Sequence, residues 1–109
     1  MPVSIFRIKD KSMLPTVGAG DYVLVSRITY SLRKPKVGEL VVSRHPKRRM
    51  FIIKRISGIS GSGYYLMGDN KDFSEDSRKF GPVDKKLFVG KVFAVVRKKR
   101  RPTTSLRTL

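Results

Sequence analysis

Residues 50–56 are Met-Phe-Ile-Ile-Lys-Arg-Ile, a run of β-branched and aromatic residues that predicts a β-strand over Phe51–Ile56. Side chains alternate between the two faces of a strand, so Lys54 shares one face with three apolar residues of the run. Glycines and serines at 58–63 predict a turn region, and Tyr64–Met67 predicts the next strand. This part of the chain therefore predicts short strands joined by turns, with one lysine on an apolar face.

Short runs of β-branched and aromatic residues recur along most of the chain. Glycine, proline and aspartate separate three further runs of this kind, which predict strands at Tyr22–Val25, Leu40–Val42 and Val89–Val96. No long segment has helical periodicity, although a short helical turn fits after Pro15 or near residues 84–87. We predict an all-β single domain, a coiled and partly open barrel of short strands, over residues 1–96, followed by a basic C-terminal tail at 97–109.

The composition of the 109 residues narrows the class of protein. There is no cysteine, which excludes disulfides and thiolate metal sites, and His45 is the only histidine, which limits a Ser-His triad. The longest apolar runs are about five residues, against about 20 needed to span a bilayer, so we expect no membrane span. No apolar stretch at the N-terminus fits a secretory signal. We therefore expect a cytoplasmic protein, with peripheral membrane contact as the alternative.

The formal net charge of +17 is extreme for a chain of this size. Much of it is clustered at 44–49 and 97–101, and we expect it to lie on loops and the tail, away from a catalytic groove. Such a field predicts weak, non-specific binding of polyanions that salt weakens. A basic β-barrel that binds nucleic acid without catalysis is therefore one hypothesis. The aromatic residues at 51, 64 and 65 are dispersed, which does not favour a stacking platform.

Ser12 begins the sequence Ser-Met-Leu-Pro-Thr and is a candidate nucleophile. Pro15 fixes its own φ angle and restricts Leu14, so the backbone after Ser12 is stiff. A stiff turn holds a hydroxyl in one direction at little entropic cost, which a nucleophile requires. The alternative interpretation is structural, with Ser12 or Thr16 acting as a cap or a turn hydrogen-bonder.

Lys54 is a candidate general base, because its strand would place the ammonium among apolar side chains. A lysine at the ordinary pKa of about 10.4 is only about 0.04% neutral at pH 7. Burial lowers the pKa of a lysine, and a reduction of about three units would give a usable base. In the alternative interpretation Lys54 reaches solvent and Arg55 faces inward, or the strand lies at an edge of the sheet.

A third polar segment runs from Gly68 to Arg78 and contains Gly-Asp-Asn followed by Ser-Glu-Asp-Ser-Arg. Its carboxylates partly resemble a calcium loop, but the glycine precedes the first aspartate and none follows the ligand run. We therefore predict no metal and no cofactor. A structural loop held by an Asp76–Arg78 or an Asp69–Arg78 ion pair is the alternative to a catalytic role.

In this order, the three segments closely resemble the catalytic core of the signal peptidase I family of Ser/Lys peptidases. The resemblance covers roughly residues 8–96 and includes Ser12–Thr16, Ile53–Ile56 and a nearly complete segment from Gly68 to Gly81. It implies a coiled β-structure and an enzyme that removes an N-terminal leader or signal peptide from a precursor protein. The precursor would bind as an extended strand, with small residues before the scissile bond.

The resemblance also implies a role for each of five side chains. Ser12 would be the nucleophile and Lys54 the general base, and Ser74 would orient the lysine amine. Asp76 and Arg78 would pair and hold the loop against the active site. The Ser12 backbone N–H would donate one hydrogen bond to the oxyanion.

Two features depart from the usual family pattern. Asp10 stands where the family usually has a glycine, or a serine whose hydroxyl helps to form the oxyanion hole. A carboxylate cannot donate that hydrogen bond, so we expect either that Asp10 points away or that half of the hole is missing. The second departure is the expected absence of a membrane anchor. In its small size and expected lack of an anchor, the sequence resembles the nickel-type superoxide dismutase maturation proteases. It also resembles them at His45-Pro46 and at residues 63–70.

Two further hypotheses follow from the same residues. Self-cleaving repressor-type domains share Ser/Lys chemistry, but they carry a DNA-binding segment and a cleavage site upstream, and we expect neither in this sequence. The second hypothesis is a homologue without catalytic activity, which would explain why Asp10 stands at a position of the oxyanion hole.

Overall fold

The computed structural model describes residues 2–98, so the predicted tail lies outside the described residues from residue 99 onward. The strands are β1 (Val3–Arg7), β2 (Tyr22–Ser26), β3 (Leu40–Arg44), β4 (Phe51–Ser60), β5 (Gly63–Met67), β6 (Val83–Asp84) and β7 (Phe88–Val96). The short helices are α1 (Thr29–Leu32), α2 (Ser77–Phe80) and two 3-10 turns, Lys71–Phe73 and Lys85–Leu87. The seven strands form one curled antiparallel half-barrel, in the order β1-β2-β7-β3-β4-β5-β6. The predicted all-β fold is confirmed.

The strand predicted around Lys54 is present but runs further than expected. β4 continues to Ser60 and β5 begins at Gly63, so the turn lies within the predicted region 58–63 but is confined to residues 61–62. The pairing of β4 with β5 changes register between Ile56 and Gly58. Such an irregularity lets a strand continue through a glycine that would otherwise weaken it.

β1 is the longest strand that the sequence pattern did not predict. It lies at the edge of the sheet, pairs within residues 2–98 only with β2, and alternates between exposed and half-buried side chains. An edge strand with few buried side chains carries a weak hydrophobic signal. The helical turn expected near 84–87 is present at Lys85–Leu87, whereas the residues after Pro15 form a turn without a helix. No helix of residues 2–98 is long and apolar enough to cross a membrane.

Two apolar clusters form the core, and β4 contributes to both. Ile53 belongs to the first cluster and Ile56 to the second. The first cluster also contains Met13 and Val17, both fully buried, from the loop between β1 and β2. Burying a methionine or valine side chain contributes about 1.5–3 kcal/mol. The loop that carries Ser12 is therefore anchored in the same core as the strand that carries the lysine.

Gly90 of β7 lies directly against the backbone of β2, where there is no room for a side chain. A Cβ at this position would lie 2.0 Å from the Ser26 carbonyl oxygen. Gly90→Ala therefore has to push two paired strands apart, and we expect it to lower the free energy of unfolding by about 1–3 kcal/mol. Urea denaturation followed by circular dichroism measures this loss.

Gly58→Ala in β4 is the matched control. A Cβ there would meet the Tyr65 ring at an ordinary contact distance of 3.6 Å, so we expect a much smaller change. Equal losses in the two variants would show that the close approach of Gly90 to β2 does not limit stability.

Candidate active site

The backbone around Ser12 is held by the Gly-Asp-Asn segment that follows β5. The Asn70 N–H donates to the Ser12 carbonyl oxygen at 2.8 Å, and the Asn70 side-chain amide donates to the Lys11 carbonyl oxygen at 3.0 Å. Met13 is fully buried beside Ser12, whose own exposed fraction is 4%. Packing and hydrogen bonds together fix the loop, as the nucleophile hypothesis requires.

Asp69 joins this loop to the lysine strand. Its Oδ2 accepts a hydrogen bond from the Thr16 hydroxyl at 2.5 Å, and its two oxygens accept from the Arg55 guanidinium at 2.9 and 2.7 Å. The hydrogen bond from Arg55 lowers the pKa of Asp69, although partial burial acts in the opposite direction. The Asp69–Arg78 ion pair considered from the sequence is wrong, because the fold brings Arg55 of β4 to this carboxylate instead.

Lys54 faces the interior of the site, as its strand pattern predicts. It is 4% exposed, and its Nζ donates a hydrogen bond to the Ser74 Oγ at 3.1 Å. Ser77, the other serine of that segment, accepts at its Oγ from the Leu66 N–H at 2.8 Å. Arg55 lies further out, with 35% of its side chain exposed. The alternative in which Lys54 reaches solvent and Arg55 faces inward is therefore wrong.

Asp76 is fully buried and organises the loop around Ser74. It accepts hydrogen bonds from the Ser74 hydroxyl at 3.0 Å, from the Gly68 N–H at 3.0 Å, and from the Arg78 guanidinium at 2.9 and 3.1 Å. Burial by itself would raise the pKa of this carboxyl, but the hydrogen bonds outweigh burial and lower the pKa to about 2. The expected Asp76–Arg78 pair is present, and it holds an ionised carboxylate behind Ser74.

Burial lowers the pKa of Lys54, and three carboxylates oppose this effect. They are, in order of influence, Asp10, Asp76 and Glu75, while Arg78 acts in the same direction as burial. The strand pattern predicted apolar surroundings and did not show these carboxylates, because they come from other segments of the chain. The net direction is still toward a neutral amine, which a general base needs.

Gly68 allows three segments to meet at one point of the site. A Cβ at this position would lie 2.0 Å from the Ser74 Oγ and 2.7 Å from the Ser12 carbonyl oxygen. Any larger residue would displace the hydroxyl that contacts the Lys54 amine. The Gly-Asp-Asn motif is visible in the sequence, but this reason for its glycine is not.

Asp10 faces Ser12, so the first of the two alternatives expected for it, that it points away, is wrong. Its Oδ1 accepts a hydrogen bond from the Ser12 hydroxyl at 3.1 Å and another from the Ser12 backbone N–H at 3.2 Å. Within residues 2–98, no hydrogen bond joins the Ser12 hydroxyl to the Lys54 amine. In this state the candidate nucleophile is engaged by a carboxylate and the candidate base by Ser74.

Ser12 and Lys54 line one cavity of about 430 Å³ between β1 and β4. Arg7 and Lys9 also line this cavity, and Arg48 lines a smaller one beside it. The expectation that the positive charge lies away from the groove is therefore wrong for these three residues. The other residues that line the larger cavity are mostly apolar: Phe6, Ile8, Asp10, Val42, Met50, Phe51, Ile52 and Ile53.

His45 is not placed to act as a base for Ser12. Its Nδ1 accepts from the backbone N–H groups of Lys47 and Arg48 at 3.0 and 3.1 Å, and its Nε2 pairs with the Glu75 Oε1 at 3.0 Å. Both ring nitrogens are therefore engaged by partners other than the serine. No Ser-His pair forms among the described residues.

A protein-family model matches nearly all of the described residues. The family model described as signal peptidase, peptidase S26, matches residues 1–63 and 62–97. The chain belongs to the signal peptidase family. The resemblance seen in the three polar segments is thereby confirmed at the level of the family, while the nickel-type superoxide dismutase subgroup stays a prediction.

Several curated relatives match this signal peptidase domain. Mitochondrial ATP-independent inner membrane protease subunit 1a of Arabidopsis thaliana is 32% identical over 82% of this chain and 67% of its own length. Mitochondrial inner membrane protease subunit 1 of Schizosaccharomyces pombe is 34% identical over 78% of this chain and 68% of its own length. Signal peptidase I of Aquifex aeolicus is 39% identical over 51% of this chain. The chain spans about two thirds of the two mitochondrial subunits but only 22% of that signal peptidase I.

The lowered pKa of Lys54 leads to a prediction about stability. Between that lowered pKa and the unfolded value of about 10.4, the unfolded chain holds more protons, so the free energy of unfolding should rise with pH. Lys54→Met removes the amine at similar volume, and with it the cost of burying a charge. We expect this variant to be at least as stable as the parent near pH 7 and to lack the rise. Urea denaturation from about pH 7 to about pH 10 measures both effects.

Lys86→Met, at an exposed position, is the control and should keep the pH dependence of the parent. A Lys54→Met variant that is clearly less stable than the parent near pH 7 would show that the buried ammonium contributes stability rather than costing it.

Proposed function

We propose that this domain is a serine endopeptidase that uses a Ser12/Lys54 dyad to remove an N-terminal leader or signal peptide from a precursor protein. The observation that carries the proposal is the buried Lys54 amine, held by Ser74 in the cavity that Ser12 also lines. Membership of the signal peptidase family supports the reaction class. The names of the relatives, which are proteases and signal peptidases, support leader removal.

The proposed reaction begins when the Ser12 hydroxyl gives its proton to the neutral Lys54 amine and its Oγ attacks the scissile carbonyl carbon. The carbonyl oxygen becomes an oxyanion, and the Ser12 backbone N–H stabilises it. Protonated Lys54 then gives the proton to the leaving amine as the peptide bond breaks, which leaves an acyl-enzyme. A water molecule, deprotonated by Lys54, attacks the ester, and Ser12 regains a proton as the new carboxyl terminus leaves.

Ser74 acts through Lys54 and is therefore a positioning residue. Its hydroxyl donates a hydrogen bond to Asp76 and accepts one from the Lys54 amine. Ser74 thus orients the amine without acting as a base itself. The ionised Asp76, paired with Arg78, requires the Ser74 proton to point toward the carboxylate. A lone pair of the Ser74 oxygen then faces Lys54.

The precursor would bind as an extended strand beside β1. This strand is at the edge of the described sheet, where a peptide can add its backbone hydrogen bonds. The apolar lining of the cavity next to Ser12 suits uncharged side chains of the leader. We also propose a nickel-type superoxide dismutase precursor as the first substrate to test, supported by the likeness of His45-Pro46 and residues 63–70 to that group of proteases.

The aromatic residues give no support to the nucleic-acid hypothesis. Tyr64 is buried and its ring lies 5.4 Å from the Phe88 ring, centroid to centroid. Phe51 packs edge-on against Phe6 at 5.3 Å. The Tyr64 ring is therefore used for packing, and the half-exposed Phe51 ring forms no row of stacked rings with it. Weak, salt-sensitive attraction of polyanions stays a prediction.

Cleavage of internally quenched precursor peptides tests the proposed dyad. Ser12→Ala and Lys54→Met should each lower kcat by about 10³-fold or more, because each removes a reacting group. Ser74→Ala should lower kcat by about 100-fold with the fold intact, because the amine loses its direction. The rate of the parent should rise with pH through the lowered pKa of Lys54, since only the neutral amine accepts the proton.

Ser62→Ala and Lys86→Met, both at exposed positions, are the matched controls and should keep the rate of the parent. Thermal unfolding shows whether each variant is folded. Cleavage at the parent rate by Lys54→Met, or by Ser12→Ala, would contradict the proposal.

A further inference from the structure

We propose that Asp10 keeps the resting active site inactive and that the carbonyl group of an incoming substrate displaces it. The inference rests on the proposed function and concerns the regulation of the same site. It starts from one contact of the Asp10 carboxylate. A single oxygen, Oδ1, accepts hydrogen bonds from both the hydroxyl and the backbone N–H of Ser12, at 3.1 and 3.2 Å.

The contact first affects the nucleophile. The Ser12 hydroxyl directs its proton to Asp10, whereas attack on a substrate requires that Lys54 takes this proton. A carboxylate is a much weaker base than a neutral amine, so Asp10 does not replace the lysine. The Lys54 amine is meanwhile directed to Ser74. The two reacting groups border one cavity but are uncoupled while Asp10 holds the hydroxyl.

The contact also affects the oxyanion site. The Ser12 backbone N–H is the donor that the proposed reaction needs for the oxyanion, and Asp10 occupies it. An ionised carboxylate cannot donate a hydrogen bond, and its negative charge disfavours a second negative charge beside it. The tetrahedral intermediate is therefore not stabilised until Asp10 leaves.

The charge of Asp10 has a third effect, on the lysine. The charged groups with the largest influence on Lys54 are Asp10, Asp76, Glu75 and Arg78, and among the three carboxylates Asp10 has the largest. The basic residues Arg7, Lys9 and Arg48 also line the cavities that Lys54 borders. Each carboxylate raises the pKa of Lys54 and so opposes burial, which lowers it. When Asp10 moves away, the balance shifts toward the neutral amine. The same movement thus frees the hydroxyl, the N–H donor and the base.

Asp10 is the carboxylate among these that can move. Asp76 is fully buried, and Glu75 accepts hydrogen bonds from two side chains. Asp10 is exposed on the loop before Ser12, and Ser12 is its one hydrogen-bond partner within residues 2–98. A peptide carbonyl that enters the groove competes for the Ser12 N–H, while the displaced carboxylate is solvated by water. Binding of the correct substrate therefore assembles the catalytic site.

Asp10→Asn and Asp10→Gly separate the charge of Asp10 from its hydrogen bonds. Asparagine keeps an oxygen acceptor but removes the charge, whereas glycine removes both. Single-turnover cleavage of an internally quenched peptide, with alanine at the first and third positions before the scissile bond, gives the acylation rate at each pH. We expect both variants to acylate about tenfold faster than the parent or more at about pH 7, Asp10→Gly the faster. The rising limb of the pH profile should move to lower pH in both.

Asp72→Asn makes the same change of charge at an exposed position in the 3-10 turn Lys71–Phe73. This control should keep the rate and the pH profile of the parent. Thermal unfolding of all three variants establishes that the compared proteins are folded.

Unchanged or slower acylation in both Asp10 variants, with the parent active, would overturn the inference alone. Parent-like acylation in Asp10→Asn together with a loss in Asp10→Gly would also overturn it, because Asp10 would then be a structural acceptor that orients Ser12. Absence of cleavage in the parent and in every variant would overturn the proposed function itself, and the inference with it.

Discussion

The carboxylate of Asp69 holds together the parts of the chain that form the site. It lies two residues after the end of β5, and it accepts hydrogen bonds from Thr16 on the serine loop and from Arg55, the residue next to Lys54. A guanidinium that donates two hydrogen bonds to one carboxylate fixes orientation as well as distance. The apolar core draws the same segments together, but burial is non-directional and does not set their relative angle. The geometry of the site therefore depends on this polar contact.

The pKa values of two buried ionisable groups of the site are both lowered. A lowered pKa favours the charged form of Asp76 but the neutral form of Lys54. Hydrogen bonds keep Asp76 ionised despite burial, whereas burial moves Lys54 toward its neutral form. Ser74 links the two groups by donating to one and accepting from the other. Within residues 2–98, every buried side-chain nitrogen or oxygen has a hydrogen-bond partner. The cost of the site thus lies in the charge of one lysine rather than in missing contacts.

The fold could be predicted from the sequence because runs of β-branched and aromatic residues alternate with turn residues along the chain. The direction of Lys54 could be predicted because it depends on local alternation along residues 50–56. The edge strand β1 could not, because three of its five side chains are exposed and none is fully buried. The contacts that orient the site could not be predicted from the sequence either, since they join residues far apart in the chain. Several partners for Asp69 were chemically reasonable, and only the fold selects Arg55. The direction of Asp10 depends in the same way on the loop geometry, and the roles of Ser12 and Lys54 came from the family resemblance.

The central claim, that Lys54 is a general base, depends on the pKa of its amine in the folded protein. NMR titration of protein labelled with ¹³C at the lysine Cε position measures this pKa directly, and Lys54→Met identifies the signal by its absence. The account predicts a pKa clearly below the ordinary lysine value of about 10.4, because burial disfavours the charged form. A Lys54 pKa at or above about 10.4 would contradict it, since the amine would then be protonated and unable to accept the Ser12 proton.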